Sequence, residues 1–148
     1  MGLKSGHRGS VSIERRMSAP AERVSSYVSD FRNAREWMVG VERVEPLSED
    51  AYRLAIDSPI GKIEAEVRIV ENTPKSINWV YTSTIEGGGR VDIEPADDGC
   101  LVTYTGEFHL KRKLLDRAAR FVGAERFART NGERSLARLK YLMEARRY

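Results

Sequence analysis

Few side chains in this sequence could do chemistry, and their spacing narrows the choice. Tyr81 and Tyr104 fall at matching phases of two alternating runs, Trp79-Val80-Tyr81 and Val102-Thr103-Tyr104. A tyrosine hydroxyl on an apolar face can hold a ligand oxygen or move a proton to it. Arg15 sits in phase with Val11, Ile13 and Met17, while Ser12, Glu14 and Arg16 take the other side. An inward guanidinium needs an anion, either a ligand carboxylate or enolate or an internal Asp or Glu. A strand end or bulge that turns Arg15 outward removes that need. If the chain is an enzyme, these residues offer proton transfer by Tyr81 or Tyr104, with Arg15 stabilising an oxyanion.

Other catalytic sets are hard to assemble. His7 lies among glycines near the start, and His109 falls on the face opposite Tyr104 and Phe108. With one cysteine, Cys100, and effectively one histidine, no ordinary zinc or iron site can be built. Asp97-Asp98 reads as a solvated turn rather than a metal site. A Ser-His-Asp triad would have to recruit His109, and no nucleophile-elbow sequence accompanies it. Gly87-Gly88-Gly89 lacks the lysine-serine pair and helix context of a phosphate cradle, so it reads as a strand break and a candidate lid. No motif implies a cofactor.

The elements that would position these groups follow from periodicity. Val11–Met17 reads as a strand. Ser18 fits an N-cap ahead of Pro20, and Val24, Tyr27, Val28 and Phe31 recur at helical spacing. A short second helical turn over Ala34–Met38 places Trp37 at the mouth or the floor of the fold. From Val41 the period becomes two. Val41–Leu47, Ala51–Asp57, the run through Ile63, Ala65, Val67 and Ile69, and the run through Ile77, Trp79, Tyr81 and Ser83 read as strands. So do Val91 with Ile93, and Cys100 to Phe108. Short turns between them make an antiparallel meander. The last part reads as a helix from about Ala124 to Arg146, with Leu114–Val122 as its first part or a separate short helix. Thr130-Asn131-Gly132-Glu133 has capping-box spacing, so a break there is an alternative.

A pocket emerges from the same pattern. Tyr52, Trp79, Tyr81, Tyr104 and Phe108 fall on apolar strand faces, and the helix stripe opposite thins to Ala128, Gly132 and Ser135. Small residues facing large rings leave either a cavity or a closely filled core, with a few hydroxyls as polar contacts.

Length and charge bound the rest. The chain has 148 residues, 41% hydrophobic and 32% charged, enough for one domain with its own core. No apolar run approaches a membrane span. Residues 1–10 lack the apolar core of a secretory signal and read as a flexible leader to a single domain over 11–148. The lone cysteine fits a reducing cytoplasm. The net charge of +3 conceals an asymmetry, since residues 111–148 carry 12 Lys/Arg against 4 Asp/Glu. That basic helix could meet an acidic protein, a ribosome or another anionic partner. It lacks interleaved aromatics and any nucleic-acid motif, so specific DNA binding is not expected.

Several runs carry a resemblance. S-A-P-A-E-R-V at 18–24, D-F at 30–31, E-W-M at 36–38, V-E-R-V-E-P-L at 41–47, G-E-F at 106–108 and S-L-A-R-L-K at 135–140 resemble START-like, helix-grip proteins. The likeness is to the polyketide cyclase/dehydrase and lipid-transport branch. It implies an α+β fold, a curved antiparallel sheet of about seven strands wrapped around a long C-terminal helix, with two short helices after the first strand. It also implies a pocket for a lipid, isoprenoid, quinone or polyketide-like molecule. The expected function is binding, transport or sensing of such a ligand, with Arg15, Trp37, Tyr52, Trp79, Tyr81, Tyr104, Phe108, Ala128, Gly132 and Ser135 as candidate contacts. A cyclase/dehydratase and an interaction module built on the basic helix are the alternatives.

Overall fold

The computed structural model describes residues 8–110 and 124–145. Seven strands form one antiparallel sheet: β1 (Arg8–Met17), β2 (Val41–Pro46), β3 (Ala51–Ser58), β4 (Gly61–Thr73), β5 (Ser76–Tyr81), β6 (Ile85–Ala96) and β7 (Gly99–Leu110). The order is β1-β7-β6-β5-β4-β3-β2, a meander from β2 to β7 with β1 returning to the far edge. Between β1 and β2 lie α1 (Ala21–Ser29), a 3-10 turn (Phe31–Asn33) and α2 (Ala34–Trp37). The last element, α3 (Ala124–Ala145), is one continuous helix. This is the expected α+β helix-grip architecture. The Thr130–Glu133 capping spacing does not break α3, which runs through it as one helix. The short helix expected over Leu114–Val122 lies outside the described residues.

Alternation decides which side of each strand is buried. On β4, Ile63, Ala65 and Val67 are buried, whereas Lys62, Glu64 and Arg68 are exposed. Register shifts at Val41/Arg43 and at Ile69/Glu71 insert extra residues into β2 and β4, and such bulges bend a sheet and tighten its twist. α3 packs chiefly along β1 on the concave side. Met17, Leu54, Val67, Ile77, Val91, Val102, Leu136, Leu139 and Met143 are buried between sheet and helix. The edge strand β2 exposes Glu42, Arg43, Glu45 and Pro46, charges and a proline that discourage pairing with another chain.

Three local expectations are corrected. Gly87-Gly88-Gly89 is neither a strand break nor a lid. It lies inside β6, paired with Phe108, Glu107 and Gly106 of β7. Ser18 does not cap α1; Pro20 holds that position with no side-chain bond. The Ser18 N–H and hydroxyl both donate to the Glu144 carboxylate, at 2.9 and 3.0 Å. β1 also begins at Arg8, three residues before the strand start read from the sequence.

Glu144 therefore ties the end of α3 to the end of β1. Lys140 donates to it at 2.7 Å. The lysine first, then Ser18, hold the Glu144 carboxyl down at about 2, against an ordinary 4.5. Because the folded value is depressed, the stabilisation is full above 4.5 and is lost as pH falls toward 2. Glu144→Gln should destabilise the fold by about 1 kcal/mol at neutral pH, after solvent screening of a partly exposed group. Urea denaturation of both proteins across that acidic range should show the difference shrinking as the pH drops.

Candidate functional site

The sheet and α3 diverge toward the N-terminal part of the helix and leave a cavity of about 130 Å³. Its floor is Trp79, Tyr81 and Tyr104, and its roof is Phe127, Ala128, Asn131 and Ser135 of α3. Leu54, Ile56, Ile63 and Ile85 close the inner side, with Phe108 beside them. Met38, Val39 and Val41 border it from the α2–β2 segment, and residues 57–60 from the β3–β4 turn.

The space exists because two large rings fold down onto glycines. Gly89 pairs with Trp79 on one side and Gly106 on the other. A Cβ on Gly89 would stand 2.3 Å from Trp79 Cζ2, and one on Gly106 would stand 2.6 Å from the Tyr104 hydroxyl oxygen. Neither distance is tolerable, so only glycine lets the rings lie against the strands. The indole and the Tyr104 ring then stack, 6.5 Å apart and 28° from parallel. Phe31 supports Trp79 from behind at 5.3 Å and Tyr52 supports Phe31 at the same distance.

One residue of the cavity border is held on both of its peptide groups. Val39 N–H donates to Ser135 Oγ at 2.9 Å, and Asn131 Nδ2 donates to the Val39 carbonyl at 2.7 Å. The two helix residues are four apart and so share a face. Gly40 follows in a left-handed conformation (φ +98°), and its carbonyl accepts from Asp57 N–H at 2.8 Å. The cavity border is thereby fixed to α3 and to β3 together.

The hydroxyls facing this space are protonated. Burial raises the Tyr104 hydroxyl far above its ordinary value, and the neighbouring Tyr81 adds to the shift. Burial likewise raises Tyr81, offset in part by a hydrogen bond from the Trp79 indole. Both residues keep some accessible surface, where they border the cavity.

Of the residues picked from the sequence, Trp79, Tyr81, Tyr104, Phe108, Ala128 and Ser135 meet around the cavity. The others stand elsewhere. Trp37 is fully buried in the core under the short helices, away from the cavity wall. Tyr52 packs on Phe31. Gly132 is a contact point between helix and sheet, where a Cβ would lie 2.7 Å from Ile13 Cδ1. Arg15 is half-buried opposite Val102 on β1 and does not border the cavity. Ser83 lies beyond the end of β5, where its hydroxyl accepts from Glu66 N–H at 3.0 Å. His109, on the outward side as expected, has Nδ1 3.5 Å from Glu86. Sequence reading missed Val39 and Asn131, though Asn131 one turn before Ser135 on a thinned stripe was a usable signal. Among the described residues no group of His, Cys, Asp and Glu could hold a metal ion, and no helix is long and apolar enough to cross a membrane.

Gly89→Ala or Gly106→Ala should lift a ring off the floor and cost about 1–3 kcal/mol by overpacking. Thermal denaturation measures the loss, and near-ultraviolet circular dichroism should show a weakened tryptophan signal in both variants.

Known proteins share this fold. A family profile described as polyketide cyclase / dehydrase and lipid transport matches residues 8–144. Among solved structures, the Zhui aromatase/cyclase from a Streptomyces species superposes with a TM-score of 0.75 at 19% identity, over 95% of this chain and 96% of that one. A START superfamily protein from Mycobacterium smegmatis gives 0.67 at 18% identity, over 95% and 97% of the two chains. A protein from Thermus thermophilus gives 0.72 at 18% identity, over 94% and 99%. Identities this low establish the fold alone. Compared by sequence with curated proteins, the chain matches none.

Proposed function

The chain belongs to the polyketide cyclase / dehydrase and lipid transport family, and on that footing we propose that it binds a hydrophobic small molecule between the sheet and α3. Family membership and the START-like neighbours support a hydrophobic-ligand or cyclase-type role in general. The observation that carries the binding reading is the cavity itself, apolar over most of its wall and interrupted by two buried hydroxyls. An apolar cavity with a few fixed polar groups is the usual form of a small-molecule site.

Magnitudes limit what fits. A dry apolar cavity of about 150 Å³ takes up benzene, so the 130 Å³ here suits one ring or a chain end. Burying about 200 Å² of ring surface at about 25 cal/mol per Å² gives about 5 kcal/mol, before the loss of translational freedom is subtracted. Apolar burial alone therefore gives weak binding. A tight ligand must add polar contacts, or a portion that extends past the enclosed space.

A second reading, a cyclase or dehydratase, is favoured by one observation. Two hydroxyls, Tyr81 and Tyr104, converge on the same cavity, and a Streptomyces structural neighbour is an aromatase/cyclase. Both hydroxyls are acids held protonated by burial. The carboxylates that border the cavity, Asp57 and Glu107, are solvent-exposed. Proton donation is thus better provided for than proton abstraction, which leaves binding as the primary reading. A third reading, docking of an acidic protein or a ribosome on the exposed Arg126, Arg129 and Arg134 of α3, requires no cavity and gains no support from the one present.

Ala128→Phe places a ring in the cavity from its roof and should abolish ligand uptake while the protein still folds. Native mass spectrometry of freshly purified wild-type protein, followed by denaturing extraction, should reveal a co-purifying apolar molecule that the variant lacks. A wild-type protein that carries nothing and takes up no apolar fluorescent probe would contradict the proposal.

A further inference from the structure

Counting the polar functions around the cavity shows which of them remain available to a ligand. Asn131 and Ser135 are both engaged with Val39. The Tyr81 hydroxyl borders the cavity, and no acceptor among the described residues takes its proton. The Tyr104 hydroxyl, set above Gly106, has no hydrogen-bond partner among the described residues. What the wall offers inward is therefore two phenol hydroxyls, each with a proton to donate. Charge is just as one-sided: no Lys, Arg or His is among the described residues that border the cavity, and the charged ones, Asp57 and Glu107, are acidic. Arg15, the cation that the sequence suggested for an anionic ligand, stands outside it.

We propose, resting on the binding reading above, that this site selects uncharged ligands that carry a hydrogen-bond acceptor on a ring-sized body, and turns carboxylates away. A ketone or ether oxygen satisfies donors that would otherwise stay buried and unpaired, which is the more expensive state. A carboxylate entering the cavity loses its hydration and meets the acidic Asp57 and Glu107, with no cation among the described lining residues to replace the lost water. Burial keeps both tyrosines protonated, so the donors persist at neutral pH. The selectivity comes from the same two hydroxyls whatever the natural ligand, since it depends on the protons they have to give.

Three probes of nearly one shape separate the terms: ethylbenzene, acetophenone and benzoate, titrated into the full chain by calorimetry at neutral pH. Acetophenone should bind about fivefold tighter than ethylbenzene, the worth of one net hydrogen bond. Benzoate should bind at least about a hundredfold more weakly than acetophenone. Tyr104→Phe should bring acetophenone down to the affinity of ethylbenzene, and Tyr81→Phe provides the same test should the first variant fold poorly. Ethylbenzene binding as tightly as acetophenone, or benzoate binding tightest, overturns the selectivity while leaving the cavity reading intact. Failure of the wild-type protein to bind any of the three removes the binding reading and the selectivity with it.

Discussion

The structure depends on how closely α3 can approach the sheet. At Gly132 the helix backbone comes so near Ile13 and Tyr104 that a methyl group would not fit. From there toward the C-terminal end, Leu136, Leu139 and Met143 seal the interface, and Glu144 fastens the end to Ser18. Toward the other end Phe127 and Ala128 border the cavity across from the strands. One contact without a side chain thus sets the tilt that makes a container out of a sheet and a helix. Cores elsewhere reach crystal-like density. Here that density holds on one side of Gly132 and lapses on the other.

The floor of the container obeys the same logic in another place. Large rings normally stand away from a strand and fill the space above it. Over Gly89 and Gly106 they lie flat instead, and Phe31 braces the stack from the side of the short helices. The volume a ligand could use is the volume these rings give up by reclining. Polar groups are placed with equal economy: those needed to hold the Val39 segment are consumed in holding it, while the two on the floor point inward with protons to give.

Much of this was legible in the sequence, and the exceptions have physical causes. Period-two alternation gave the strands, and the thinned stripe on α3 pointed to the gap at Ala128 and Ser135, though Gly132 within it is a point of close contact. The glycine run was misread because glycines are poor strand formers by propensity. Its place in β6 follows from what lies on top of it, the Trp79 and Tyr104 rings, which no local window contains. Arg15 was in the right phase, yet phase assigns a face and not a depth. It falls on β1 opposite Val102, outside the part of the concave face that the cavity occupies. Trp37 illustrates the same limit, since a large ring beside a turn can close a core as readily as a mouth. Ser18 was read as a cap because its partner, Glu144, is 126 residues away.

The pairing of β1 with β7 has a kinetic consequence. The meander from β2 to β7 is built from neighbours joined by short turns, and each hairpin closes only a small loop. β1 is different: Arg15 lies opposite Val102 and Ile13 opposite Tyr104, so its docking must close a loop spanning most of the domain. α3 rests mainly on β1. The helix therefore gains its platform only once the two distant ends of the sheet have met. Contacts of such long sequence separation slow folding, and the docked helix depends on the β1–β7 pairing beneath it. The container is complete only once both are in place, so a vacant or occupied interior becomes distinguishable only then.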